Sequence, residues 1–173
     1  MKIFVYIIFA IFYCSCSKLY AQSEDDNMVY LKNKPLDNCY IFKFKDEVGM
    51  YKDPADFMII FSTDNNLFSL TNGYVKRIKI IDNVYYVNIS QENSDTTYIY
   101  GNIDKLFIDT NSYVKKGDII GKLLKDKYFN SRRYSVILSI MYKESNDIGF
   151  LNYIDIYEFL IKNYGIQSRR KHY

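Results

Sequence analysis

Histidine, tryptophan, proline and glycine are scarce or absent in this sequence of 173 residues, which has one His, no Trp, two Pro and seven Gly. The single imidazole, His172, lies next to the C-terminus. Because this is the only histidine, sites that need two or more histidines are excluded. Because it is terminal, the body of the chain has no Ser-His-Asp or Cys-His arrangement. The low glycine and proline content excludes a linker or a low-complexity chain.

An excess of charge of one sign is also lacking. The formal net charge is +3, and the lysines are interspersed with acidic residues. A nucleic-acid-binding domain normally carries a basic patch or stripe, so no nucleic-acid partner is expected. Apolar residues make up 49% of the sequence, with 19 Tyr and 12 Phe, which is enough for one domain with its own core.

Residues 1–21 predict an export signal. Lys2 precedes an apolar run of eleven residues at 3–13, which is short for a membrane span and typical of a signal core. Cleavage after Ala21 is favoured, and the alternatives are lipidation at Cys16 in a loose lipobox and an uncleaved anchor. We therefore expect an exported protein of the periplasm or cell envelope. Membrane attachment is expected only through the signal or a lipid.

The remaining chain divides into a flexible lead-in at 22–38, one domain at 39–165 and a basic tail at 166–173. Apolar alternation and turn residues predict about eight short strands, among them 39–44, 57–61, 67–70, 74–81, 84–90, 98–100 and 134–142. Helical spacing predicts one helix at 154–163 that ends at Gly165. The expected fold class is all-β, an antiparallel sandwich of short strands with one C-terminal helix.

Three dipeptides and one four-residue segment mark the predicted turns and strand ends. Asn72-Gly73 and Asp82-Asn83 predict hairpin turns, and Gly101-Asn102 is expected to end the strand at 98–100. Residues 146–149 predict a further turn. These signals fix how the strands are expected to connect.

The stretch Val-Lys-Lys-Gly-Asp-Ile-Ile-Gly at 114–121 organises the domain. Gly117 predicts a tight turn, and Gly121 predicts a bend, a bulge or a close backbone approach. This stretch follows Asn-Gly-Tyr-Val at 72–75 and Thr-Thr-Tyr-Ile-Tyr-Gly at 96–101. In that order the segments resemble lysostaphin-type (LytM-like) peptidoglycan endopeptidases. The 114–121 segment alone also resembles barrel-sandwich hybrid domains.

The resemblance implies a zinc peptidase fold whose ligands are missing from this chain. It places Pro54, Met58 and Tyr100 where the family has a zinc-binding His, a zinc-binding Asp and a further His. It places Ser135 and Ile137 where the family has the two histidines of its His-Leu-His strand. A catalytic zinc needs about three His, Asp, Glu or Cys ligands. No metal, no cofactor and no catalytic residue are therefore expected, and the former cleft is expected to be lined by Met58, Tyr98, Tyr100, Ser135 and Ile137.

The favoured hypothesis is a non-catalytic, peptidase-like domain that binds peptidoglycan, or a cell-wall amidase or other envelope protein, and regulates or scaffolds it. One alternative is an envelope adaptor or carrier-type barrel-sandwich hybrid protein without wall binding. The other is a zinc-independent cell-wall hydrolase that uses Tyr, Ser and carboxylate groups of the same cleft.

Overall fold

The computed structural model describes residues 28–42, 56–125, 133–144, 147–151 and 153–165. The strands are β1 (Met28–Tyr30), β2 (Cys39–Phe42), β3 (Met58–Ser62), β4 (Asn66–Phe68), β5 (Gly73–Ile81), β6 (Val84–Gln91), β7 (Thr96–Leu106), β8 (Tyr113–Val114), β9 (Ile119–Leu123), β10 (Tyr134–Glu144) and β11 (Asp147–Phe150). One helix, α1 (Tyr153–Tyr164), follows them. The predicted all-β class with antiparallel pairing and a C-terminal helix is confirmed.

All eleven strands belong to one antiparallel sheet, whose main path runs β1-β2-β3-β10-β7-β6-β5-β8. β11 pairs with β10, and β9 pairs with both β4 and β7. Residues directly opposite one another on antiparallel strands share a face of the sheet. We call the side that carries Met58, Leu138 and Tyr100 the inner face, and the side that carries Ile59, Ile137 and Phe61 the outer face.

The main hydrophobic core lies on the inner face. Four parts of the chain cover this core: the N-terminal segment, β4 with the residues after it, β9 and α1. Their buried side chains are Leu31, Leu36, Leu67, Leu70, Ile120, Leu123, Ile156, Leu160 and Tyr164. A smaller apolar cluster of Met28, Tyr40 and Phe61 covers the outer face at the β1 edge. Most of the apolar burial that stabilises the fold is therefore on one side of the sheet.

The segment 28–38, predicted as part of a flexible lead-in, is instead ordered, and the domain begins before residue 39. Two backbone amides, of Lys32 and Asn33, donate to the carbonyl oxygen of Tyr164 at the end of α1, at 3.0 and 2.9 Å. A helix end leaves carbonyls without partners, and this segment supplies donors to one of them. Leu31 and Leu36 are buried as well, so the segment gains both hydrogen bonds and apolar burial.

α1 matches the predicted helix closely. Its buried residues Ile156, Leu160 and Tyr164 are spaced by four, which places them on one stripe against the sheet. Gly165 has a φ of +69°, and its amide donates to the Ile161 carbonyl at 2.9 Å. This is the left-handed cap that glycine adopts without a steric penalty. The described residues contain no helix that is long and apolar enough to cross a membrane.

The predicted break at Gly101-Asn102 is wrong, because β7 continues through both residues to Leu106. Asn102 has a φ of +65°, and the register against β6 shifts between Tyr85 and Val87. The irregularity is therefore a bulge inside one long strand. Gly101 is required there, since a Cβ would lie 2.6 Å from the Tyr86 ring.

Two of the turn predictions, at Asp82-Asn83 and at Gly117, were confirmed, and others were wrong. Asp82-Asn83 joins β5 to β6, with φ values of +50° and +64° that fit a type I′ hairpin turn. Asn72-Gly73 does not make a hairpin, because β4 pairs with β9 instead of β5. Residues 147–149 of the turn predicted at 146–149 belong to strand β11, and residue 146 lies outside the described residues. Gly117 has a φ of +92°, as its predicted turn requires.

The second glycine of the 114–121 stretch makes a close backbone approach, one of the predicted outcomes. A Cβ on Gly121 would lie 2.5 Å from the Lys105 carbonyl oxygen in β7. This contact holds β9 between β4 and β7. The stretch therefore carries part of the inner-face cover.

Candidate functional site

The five residues predicted to line one cleft lie on opposite faces of the sheet. Met58 and Tyr100 are both directly opposite Leu138 on β10, and Tyr98 is opposite Ile140, so all three belong to the inner face. Ser135 is opposite Phe61, and Ile137 is opposite Ile59, which puts both on the outer face. The prediction of a single groove lined by all five is wrong.

The position along β10 decides which of the predicted residues face Met58 and Tyr100. Successive residues of a strand point to opposite faces, so a slip of one position moves every side chain to the other side. The β10 residues nearest Met58 and Tyr100 on the same face are Val136 and Leu138. Apolar and phenolic side chains thus occupy this part of the inner face, and none of these four supplies a good zinc ligand at neutral pH.

The centre of the inner face is closed to large ligands. Met58 is 0% exposed and Tyr100 is 1% exposed. Leu36, Leu67 and Leu70 belong to the same core cluster, and with Tyr100 they line a small cavity of about 20 Å³. A cavity of this size holds about one water molecule. A wall polymer or a protein partner therefore cannot reach either side chain.

The hydroxyl of Tyr100 has a structural role. It accepts a hydrogen bond from the Leu70 amide at 2.9 Å, and the Tyr164 hydroxyl donates to the Leu70 carbonyl at 3.4 Å. Burial raises the pKa of Tyr100 and Tyr164 well above the usual value for tyrosine. Both stay protonated at neutral pH, and together they hold the backbone of Leu70 against the sheet.

The two outer-face residues are also held by their neighbours. The Asn102 side-chain amide donates to the Ser135 carbonyl at 2.9 Å and to its hydroxyl at 2.8 Å. Ser135 is buried and Ile137 is half-buried opposite Gly101. Ser135 thus supports the bulge in β7, and the described side chain that bonds its hydroxyl is the Asn102 amide, which is not a base.

Tyr98 lies at the open part of the inner face. It lines a groove of about 430 Å³ beside the C-terminal half of α1, and we call this the Tyr98 groove. Its other walls include Gln91, Lys116, Phe159, Asn163 and Tyr164. Tyr98 contacts Phe159 with ring centroids 6.0 Å apart, and the ammonium of Lys116 lies 4.8 Å from the Tyr164 ring centroid. Sequence reasoning found Tyr98 but missed the others, because they meet only when α1 packs beside the ends of β6 and β7.

Metal-binding side chains do not cluster within the described ranges, where no three His, Cys, Asp or Glu residues lie close enough to hold one ion. Cys39 is buried, and burial raises its thiol pKa to about 12, so it is a protonated core residue at neutral pH. Pro54, Cys16 and His172 lie outside the described residues, as do the predicted signal and basic tail. The donor set on the inner face therefore does not fit the zinc site that the resemblance implied.

Comparisons with known proteins identify the fold. No protein-family model and no curated protein sequence matches the chain. Among solved structures, lysostaphin in solution matches with a TM-score of 0.52 and 16% identity over 69% of this chain and 48% of that one. The antimicrobial peptidase lysostaphin from Staphylococcus simulans matches with a TM-score of 0.50 and 16% identity, over 68% and 47%.

A further match is the catalytic domain of the prophage-encoded protein EnpA from Enterococcus faecalis, with a TM-score of 0.48 and 16% identity, over 63% of this chain and 83% of that one. The chain spans about half the length of the lysostaphin chains that it matches. At this identity the likeness concerns the fold. The chain has the fold of the lysostaphin-type peptidases, as its sequence motifs predicted.

Proposed function

We propose that this protein is an exported, non-catalytic member of the lysostaphin-type fold, which binds peptidoglycan or an envelope protein and regulates or scaffolds it. One observation carries the proposal. The inner-face positions Met58, Tyr100, Val136 and Leu138 are core residues under a cover of leucines. A peptidase of this type needs an open metal site there, and this part of the chain is built as a core.

Export supports the envelope as the place of action. The predicted signal at 1–21 would carry the domain out of the cytoplasm. Lysostaphin, which has the same fold, is described as an antimicrobial peptidase. Because function depends on a site and not on the fold alone, a domain with this fold can act by recognition without catalysis. Recognition of the wall itself, or of a protein that acts on it, is the function that best fits the fold together with the predicted export.

A binding assay with purified cell walls tests the proposal. The purified chain would be incubated with peptidoglycan sacculi and sedimented, and release of soluble wall fragments would be followed in the same tubes. We expect sedimentation with the wall and no release of fragments. A matched Leu138→Asp chain that no longer folds would control for adhesion of unfolded protein, and it should not show the same binding.

The other outcomes separate the alternatives. Absence of wall binding, together with capture of one envelope protein by crosslinking, would place the function with the protein partner. Release of wall fragments would contradict the non-catalytic proposal. If that release survived removal of metal by a chelator, the zinc-independent hydrolase would become the better account.

A further inference from the structure

The Tyr98 groove contains a polar group that the fold does not use. Tyr98 is 6% exposed, yet its hydroxyl has no hydrogen-bond partner among the described residues, whereas the hydroxyls of Tyr100 and Tyr164 both bond to Leu70. Burial raises the pKa of the Tyr98 hydroxyl, so at neutral pH it is protonated and can donate one bond and accept another. The Tyr98 side chain is largely buried, but its hydroxyl lies at a groove wall, where it can bond water or a ligand.

Carboxamide side chains line the same groove as this hydroxyl. Gln91, Asn93 and Asn163 line the groove from the end of β6, the loop after it and α1. Each carboxamide can donate and accept. Asn163 uses its amide nitrogen to bond the Phe159 carbonyl at 2.7 Å, which leaves its oxygen free to accept from a ligand. The groove is therefore lined by neutral groups that bond in both directions, the type of lining that recognises hydroxyl and acetamido groups.

Few charges face the groove. Glu92 accepts a hydrogen bond from the Tyr113 hydroxyl at 2.7 Å, and Lys116 lies over the Tyr164 ring. One cation and one carboxylate that is already bonded do not make a site for a phosphate or another strongly charged ligand. Phe159 is half-buried, and its ring adds an apolar surface of the kind that stacks on the C–H face of a sugar.

The site extends past Lys116. A second concavity of about 610 Å³ lies on the other side of this residue and is lined by Lys34, Pro35 and Asn38 among others. Because Lys116 is a wall of both concavities, a ligand of several units that lies along this residue could contact both.

We propose that the Tyr98 groove binds an N-acetylated saccharide chain, with Tyr98, Gln91 and Asn163 bonding its hydroxyl and acetamido groups and Phe159 packing on a sugar face. The inference rests on the proposed function and names the part of the wall that the domain recognises, the glycan. It also assigns recognition to a groove at the open end of the inner face, away from Met58 and Leu138.

Titration of the purified full chain with chitotetraose, followed by saturation-transfer NMR and calorimetry, tests this inference. We expect binding, with Tyr98→Phe weakening the affinity by about two- to tenfold because one or two hydrogen bonds are lost. Gln91→Ala and Asn163→Ala should weaken it to a similar degree. Asn88→Ala is the matched control, because it removes a carboxamide from the outer face. The Asn88→Ala chain should bind chitotetraose with the same affinity as the unmodified chain.

Two results would overturn the inference: absence of chitotetraose binding by the folded chain, or equal affinity in the Tyr98→Phe and Gln91→Ala chains. A parallel assay with intact sacculi separates this inference from the proposed function. Binding to sacculi that chitotetraose does not compete, but a wall stem peptide does, would overturn the saccharide assignment and leave wall binding in place. Binding of chitotetraose without binding to sacculi would support the groove and contradict the wall as its target.

Discussion

Tyr98 and Tyr100 differ by two positions on β7 and share the inner face, but their surroundings are opposite. Tyr100 is sealed under Leu70, and its hydroxyl bonds the backbone there. Tyr98 lies at the open end, where its hydroxyl lines a groove and has no partner among the described residues. One strand therefore serves as core at one position and as a candidate binding surface at the next inward position. In the proposed account, core side chains fill the centre of the inner face, while the end of the same face stays accessible.

The largest effect is expected when a charge enters the closed centre. Met58→Asp places a carboxylate, the side chain that the resemblance expects at this position, among fully buried apolar neighbours. An unpaired buried charge should lower the free energy of unfolding by about 3–5 kcal/mol. Urea denaturation followed by circular dichroism measures this loss. Met58→Leu is the control and should change stability by less than about 1.5 kcal/mol. A stable Met58→Asp chain would show that the centre is open to water or to a metal.

The second comparison removes one hydroxyl from each tyrosine. Tyr100→Phe leaves the buried Leu70 amide without an acceptor and should cost about 1–3 kcal/mol of unfolding free energy. Tyr98→Phe removes a group that bonds no described residue, so it should change stability by less than about 0.5 kcal/mol. Thermal and urea unfolding of the two chains, run side by side, give both values. Equal losses would mean that the two hydroxyls have equivalent roles.

The third prediction concerns alkaline pH. Folding raises the pKa of Cys39 from 9.0 to about 12, and it also raises the pKa of Tyr100 and Tyr164 above 10.0. At pH values above 9 the unfolded chain loses these protons while the folded chain keeps them, so stability falls as pH rises. The loss between pH 7 and pH 10 should be about 1–2 kcal/mol. Urea midpoints across this range measure it, and Cys39→Ala should remove the part that begins near pH 9. A flat profile would contradict the closed core.

The smallest effect is expected on the outer face. Ser135→Ala removes one of the two acceptors of the Asn102 amide, while the Ser135 carbonyl remains. Stability should fall by about 0.5–1 kcal/mol, and binding to sacculi should not change. Sedimentation with sacculi and urea unfolding check the two parts separately. A loss of wall binding in a folded Ser135→Ala chain would restore the outer face as a functional surface.

Structural features that depend on a few neighbouring residues could be predicted from the sequence. Asp82-Asn83 predicted the β5–β6 hairpin, and the spacing of Ile156 and Leu160 predicted α1. Gly117 predicted the turn at its own position. The 114–121 motif, read with the segments before it, gave the fold that the solved structures confirm.

Features that depend on distant contacts could not be predicted. Nothing local indicates that β4 pairs with β9, or that Lys32 caps α1. A resemblance between short motifs does not define the position of β10 to within one residue, and one residue decides which face Ser135 occupies. The Tyr98 groove was missed for the same reason, since Gln91 and Asn163 are far apart in sequence and meet only in the fold.

The central claim is that the centre of the inner face is a core and holds no catalytic metal. The most direct measurement is the zinc content of the purified chain by mass spectrometry of its metals, after equilibration with zinc and removal of the unbound ion. The account predicts far less than one zinc per chain, with a thermal unfolding temperature that zinc does not change. One tightly bound zinc per chain, lost in Met58→Leu or Tyr100→Phe, would contradict it and reassign the inner face as a metal site.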